Sequence, residues 1–199
     1  MKKVLFCLVF VGMFHNISAQ EMQKNEVYAG LGLLNDNQMI AMLADVVGTI
    51  FTGGYLVQPG TYRAYTPFIG FRYGFTNRFS LGGIFAFDVN SVKVFNGDSP
   101  DKQMREINRY YMTYAIEPKF NYIAKPAFQL YGYLGFGATV VTFGKAIFDN
   151  GSEAEISRVP YFNMHVTPLG VRFGKEFGGF VEFGYGYKGI LNGGLSYRF

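Results

Sequence analysis

Apolar and polar residues alternate with a period of two through most of this chain. Ile69, Phe71, Tyr73 and Phe75 fall on one side of an extended segment, and Thr66, Gly70, Arg72 and Gly74 on the other. Val181, Phe183, Tyr185 and Tyr187 oppose Glu182, Gly184 and Gly186 in the same way, and Leu191, Leu195, Tyr197 and Phe199 oppose Asn192, Ser196 and Arg198. Successive side chains of a strand point to opposite faces, so this period predicts strands, each with one bulky apolar face and one small, polar or charged face. Eight are expected, over residues 27–34, 63–75, 79–88, 110–122, 128–141, 161–174, 180–187 and 190–199. Most are near or above the ~9–11 residues with which a tilted strand crosses a bilayer.

A repeat organises the middle. Thr66-Pro67-Phe68-Ile69-Gly70-Phe71-Arg72-Tyr73-Gly74 resembles Thr167-Pro168-Leu169-Gly170-Val171-Arg172-Phe173-Gly174, and Glu117-Pro118-Lys119-Phe120-Asn121-Tyr122 is a weaker copy between them. Each copy is followed by a short turn and a new aromatic segment, so the repeated unit is a hairpin. Connections after strands two, four and six are short. Those after one, three and five are long, over 35–62, 89–109 and 142–160. The last turn is placed at Lys188-Gly189, with Asn192-Gly193 as a competing signal.

Periodicity does not say which face is inside. Size and charge argue that the apolar face points outward. A narrow lumen holds few Phe and Tyr, and Arg72, Glu117, Lys119, Arg172, Glu182 and Arg198 cannot all face lipid at ~2–4 kcal/mol per basic residue near the midplane. Inside, they can pair with one another. A soluble β-sandwich, the fold alternative, has the opposite sense.

Both ends of the chain bear on this. Lys2 and Lys3 precede an apolar run over residues 4–14, and Ile17-Ser18-Ala19 supplies a small residue for cleavage, so residues 1–19 are expected to be a secretory signal peptide. Cys7 lies inside the run rather than at the cleavage point, which argues against lipidation. The last seven residues, Gly193-Gly194-Leu195-Ser196-Tyr197-Arg198-Phe199, alternate and finish on an aromatic. This ending resembles the closing strand of a bacterial outer-membrane β-barrel. The whole segment 20–199 resembles a small eight-stranded barrel of the OmpA-like kind, and the Ser18-Ala19-Gln20 junction suits a Bacteroidetes-type source. The resemblance implies an all-β antiparallel transmembrane barrel in the Gram-negative outer membrane, with short turns in the periplasm and long loops outside. It implies that Tyr197 and Phe199 are read by the barrel-assembly machinery, and that membrane lipid and lipopolysaccharide are neighbours.

Composition narrows the chemistry. The chain has 22 Phe, 15 Tyr, 26 Gly and no Trp. Removal of the signal takes the one Cys and His15, so disulfides and Cys- or His-rich metal sites are not expected. Net charge falls from +4 by the loss of Lys2 and Lys3, too little for a nucleic-acid partner. No cofactor motif is present: no Gly-rich phosphate loop opens a helix.

Three features are weighed for function. The six inward charges are either a selectivity lining or a salt-bridge network plugging the lumen, and the size of an eight-stranded barrel favours the plug. In the first loop Met39, Met42, Leu43, Val46 and Ile50 recur at helical spacing, with Asn35 or Asp36 as cap. They predict a short helix that serves as a partner surface, a membrane-surface helix or a lid over the rim. His165 with Thr167 places a base beside a hydroxyl, as a lipid-modifying enzyme would need, but no third member is identifiable and a polar residue at the membrane rim is the plainer reading. The carboxylates Asp98, Asp101 and Glu106 match no calcium loop. The expected function is a non-enzymatic outer-membrane barrel with a structural or surface-interaction role toward an unidentified extracellular partner. A narrow passive pore and an outer-leaflet enzyme are the alternatives.

Overall fold

The computed structural model describes residues 25–36, 38–39, 47, 61–62, 65–96, 99–143 and 158–199. Eight strands run in chain order: β1 Asn25–Leu33, β2 Tyr65–Gly74, β3 Phe79–Asn96, β4 Ser99–Lys125, β5 Phe128–Phe143, β6 Arg158–Phe173, β7 Phe177–Gly186 and β8 Leu191–Arg198. Each pairs antiparallel with the next, and β1 also pairs with β8, from Glu26↔Arg198 to Leu33↔Leu191. Asn25 and Phe199 exchange two backbone hydrogen bonds of 3.0 Å and finish the seam. The sheet closes into a barrel, so its first and last strands pair with each other instead of standing as open edges.

Alternation sorts the residues as the pattern requires. In β7, Val181, Phe183 and Tyr185 are exposed and Glu182, Gly184 and Gly186 are buried. The repeat has a structural meaning: the residue before each proline, Thr66, Glu117 and Thr167, points inward and is buried on an even-numbered strand. A β-irregularity between Val166 and Leu169 accommodates Pro168, which has no N–H for the ladder.

Two expectations are corrected. The long loop placed at 89–109 is largely paired strand: Val89↔Tyr110 continues through Lys93↔Glu106 to Asn96↔Ser99. Val89, Val92 and Val94 are β-branched, a residue type that favours extended backbone. A two-residue segment, Thr61–Tyr62, pairs onto β3 there. Tyr187, expected on the outward apolar face with Val181, Phe183 and Tyr185, also turns inward, and other rings join it. Tyr28, Phe68, Tyr131, Tyr133, Phe180 and Tyr187 point inward, and glycines on neighbouring strands make the room. A Cβ at Gly70 would strike the Tyr28 ring, and one at Gly170 the Tyr131 ring.

Among the described residues, the outward face of the barrel strands is largely apolar. Ile69, Ile116, Leu169, Val181 and Leu195 are each about half exposed along its middle. Exposed aromatics gather toward the short-turn end, where Phe75 stacks on Phe79 at 5.9 Å and Phe128 meets Phe173 at 5.2 Å.

Candidate functional site

The interior is held by three carboxylates. Glu26 of β1 lies at the short-turn end. One of its oxygens is 3.3 Å from Arg72 Nη1 and 3.9 Å from Lys119 Nζ, and the other is 3.0 Å from Arg172 Nε and 3.4 Å from Arg198 Nε. Glu117 sits deeper. It meets Arg72 Nη2 at 3.2 Å and Lys188 Nζ at 3.0 Å, and accepts the hydroxyls of Tyr28 at 2.8 Å and Tyr187 at 2.9 Å. Glu182 accepts the hydroxyls of Tyr131 at 2.8 Å and Tyr133 at 2.7 Å, with Lys188 Nζ at 3.3 Å. Arg72 bridges the Glu26 and Glu117 groups and stacks over the Tyr28 ring at 4.5 Å. Every carboxylate oxygen is thus partnered, which a buried ion requires.

An apolar patch shares this interior. Tyr28, Phe68 and Phe180 meet ring to ring at 6.3 to 6.5 Å, with Ile84, Ala86, Ala115 and Tyr187 around them. Rings and paired charges share the bore, and eight strands enclose an interior just wide enough for side chains.

The connection between β7 and β8 supplies the last piece. It turns at 187–190, with Gly186 at φ +133° and Gly189 at φ +124°, values that glycine alone adopts readily. Gly189 N donates to Gly186 O, and Ile190 N to Leu33 O. The turn folds inward, so Tyr187 and Lys188 enter the lumen from its far end and are fully buried. Lys188 N donates to His165 Nδ1 at 3.4 Å, which leaves Nε2–H of that ring to donate to Thr167 Oγ1 at 3.0 Å.

At the long-connection end, Asn35 is both cap and tether. Its Oδ1 accepts the backbone N–H of Gln38, Gln38 Oε1 accepts the N–H of Asn35, and Met39 N closes a helical turn on Asn35 O. Asn35 Nδ2 donates to Thr66 at 2.6 Å and Asp88 at 2.8 Å. The reciprocal bonds form a capping box.

No family model matches this sequence, and no curated protein matches it. Solved structures share its architecture. Ail, the attachment invasion locus protein of Yersinia pestis, crystallised with the heparin analogue sucrose octasulfate, aligns at a TM-score of 0.50 and 15% identity, over 90% of this chain and 100% of that one. The N-terminal β-barrel domain of Pseudomonas aeruginosa OprF aligns at a TM-score of 0.47 and 10% identity, with the same coverage. The fold is that of an eight-stranded outer-membrane barrel.

Within it, all six charges singled out in the sequence, Arg72, Glu117, Lys119, Arg172, Glu182 and Arg198, are buried and joined in one network. Glu26 and Lys188 belong to it and were missed. Glu26 shares the parity of Tyr28 but lies just ahead of the expected start of β1, and Lys188 was assigned to a turn. Its flanking glycines were the available signal. Tyr197 and Phe199 lie outside, stacked at 5.9 Å. Met39 is at the edge of exposure beside the helical turn, while Met42, Leu43, Val46 and Ile50 lie outside the described residues, as does the signal segment 1–19. His165 is not at a membrane rim. It is fully buried between the rings of Tyr133 and Tyr187, at 5.7 and 5.0 Å.

Proposed function

We propose that this protein is an integral outer-membrane barrel with a plugged interior, which acts as a structural or surface-interaction element through the connections at its long end. The observation that carries the reading is the inversion of the usual order: paired charges inside, and a largely apolar face outside. Water would expose that face at a large cost, and a bilayer covers it. An N-terminal signal over residues 1–19 would deliver the chain, and Tyr197 with Phe199 would present the closing strand to the assembly machinery. The short turns would then lie in the periplasm, and the β3–β4 hairpin, extended beyond the rim, would face outward beside lipopolysaccharide. His165 and Thr167 are sealed from either leaflet, which supports a non-enzymatic role.

Detergent extraction followed by planar-bilayer recording tests this reading. The expected result is a heat-modifiable band that needs detergent and conducts no steady current. Stable conductance would replace the plug with a pore. Solubility without detergent would remove the membrane assignment.

A further inference from the structure

The short-turn end of the interior carries more positive charge than its partners neutralise. Arg72, Lys119, Arg172 and Arg198 converge on the single carboxylate of Glu26, and Arg72 alone of the four also reaches Glu117. The four are not equally served. Arg172 donates to Ser196 Oγ and to the carbonyls of Gly174, Lys175 and Glu176, and Arg198 donates to Gln129. Lys119 is poorly held. Its ammonium has three donors but one hydrogen bond, of 3.4 Å to Gln129, with Glu26 at 3.9 Å and the Tyr131 ring at 3.7 Å.

Among the described residues, two buried donors on neighbouring positions have no partner: Arg72 Nε, on a residue 4% exposed, and the hydroxyl of Ser80, 6% exposed. All three residues occupy adjoining inward positions. Ser80 is the register partner of Lys119 across β3 and β4, and both point inward. Arg72 pairs with Gly82, the next inward position on β3 after Ser80, and the place where a Gly82 Cβ would stand is 3.4 Å from Arg72 Nε. No side chain at Gly82 separates them. The region also adjoins the mouth, since Glu26, Ser80 and Arg198 keep 6 to 7% exposure while Glu117, Lys188 and His165 keep none.

We propose that Arg72, Lys119 and Ser80 form a binding site for a small inorganic anion, entered from the short-turn end of the barrel. A guanidinium N–H, an ammonium and a hydroxyl stand on neighbouring inward positions with unspent donors and an excess of positive charge. That set selects an acceptor-only ligand, a halide or a small oxyanion.

The test uses the refolded full-length protein in micelles. Chloride replaces gluconate at constant ionic strength, so that screening is unchanged, while the Arg72 Nε–H and Ser80 resonances are followed by NMR. A parallel titration uses inorganic phosphate. The expected result is a saturable shift centred on these two residues with at least one of the two anions, and the responding anion identifies halide or oxyanion. Ser80→Ala is expected to weaken it about tenfold, the loss of one hydrogen bond to a charged ligand. Lys119→Met is expected to abolish it. A linear response, one spread over Arg78 and Lys125 at the surface, or one unchanged in Ser80→Ala would indicate an adventitious ion only and overturn the site. If the variants do not fold, bromide anomalous diffraction from the unaltered protein decides: density between Ser80 Oγ and Arg72 Nε supports the site, and ordered water there overturns it.

Discussion

Replacing Glu117 by Gln removes one charge from a position with no solvent exposure and leaves the volume nearly unchanged. In the folded barrel that carboxylate faces Arg72 Nη2 at 3.2 Å, Lys188 Nζ at 3.0 Å and two tyrosine hydroxyls. Breaking a buried pair by removing one partner costs about 3–5 kcal/mol. The lower half of that range applies here, because Arg72 keeps Glu26 at 3.3 Å and Lys188 keeps Glu182 at 3.3 Å. The Gln amide also points an NH2 at one side where a cation stands and only a tyrosine hydroxyl can turn to accept, which adds to the penalty. A loss near 3 kcal/mol shifts the folded-to-unfolded ratio about a hundredfold. The assay is equilibrium unfolding in urea from lipid vesicles, followed by gel mobility and far-UV circular dichroism, since the chain has no Trp to report. Adding Lys188→Met to Glu117→Gln also removes a cation that has lost one of its two carboxylates, so the double variant is expected to lose less than the sum of the singles by at least about 1 kcal/mol. A single-variant loss below about 1 kcal/mol, or additivity in the cycle, would refute the view that paired charges hold the interior together.

Val181→Arg, in the middle of the outward face of β7, is expected to cost about 2–4 kcal/mol in a bilayer, and a far smaller penalty in vesicle unfolding would argue against membrane burial of that face. Gly70→Val forces a side chain against the Tyr28 ring and should cost about 1–3 kcal/mol, read as a lowered urea midpoint; an unshifted midpoint would mean the ring is free to move. Asn35→Ala removes the cap and strips Asp88 and Thr66 of a donor, for an expected loss of about 1–2 kcal/mol, whereas Asn35→Asp should keep the cap bond but set a second carboxylate against Asp88.

Much of the barrel is legible in the chain itself. A period of two needs only adjacent residues, so the faces of β2, β7 and β8 and the inward parity of Arg72, Glu182 and Arg198 could be read off directly. The even strand count and the short turns at 75–78, 126–127 and 174–176 follow from the same local signals. Closure is different, because it joins positions that no window of sequence contains. Glu26 and Arg198 become register partners across the seam, and Glu117 draws on Tyr28 from β1 and Tyr187 from the last turn, neither adjacent to its own strand. The direction of Lys188 was likewise undecided until Gly186 and Gly189 adopted positive φ and turned the last connection into the bore. The rings of Tyr28 and Tyr131 fit inside only because Gly70 and Gly170 stand beside them on adjacent strands. Alternation is a local steric property of extended backbone. The pairing of charges and the filling of the lumen are properties of the closed cylinder.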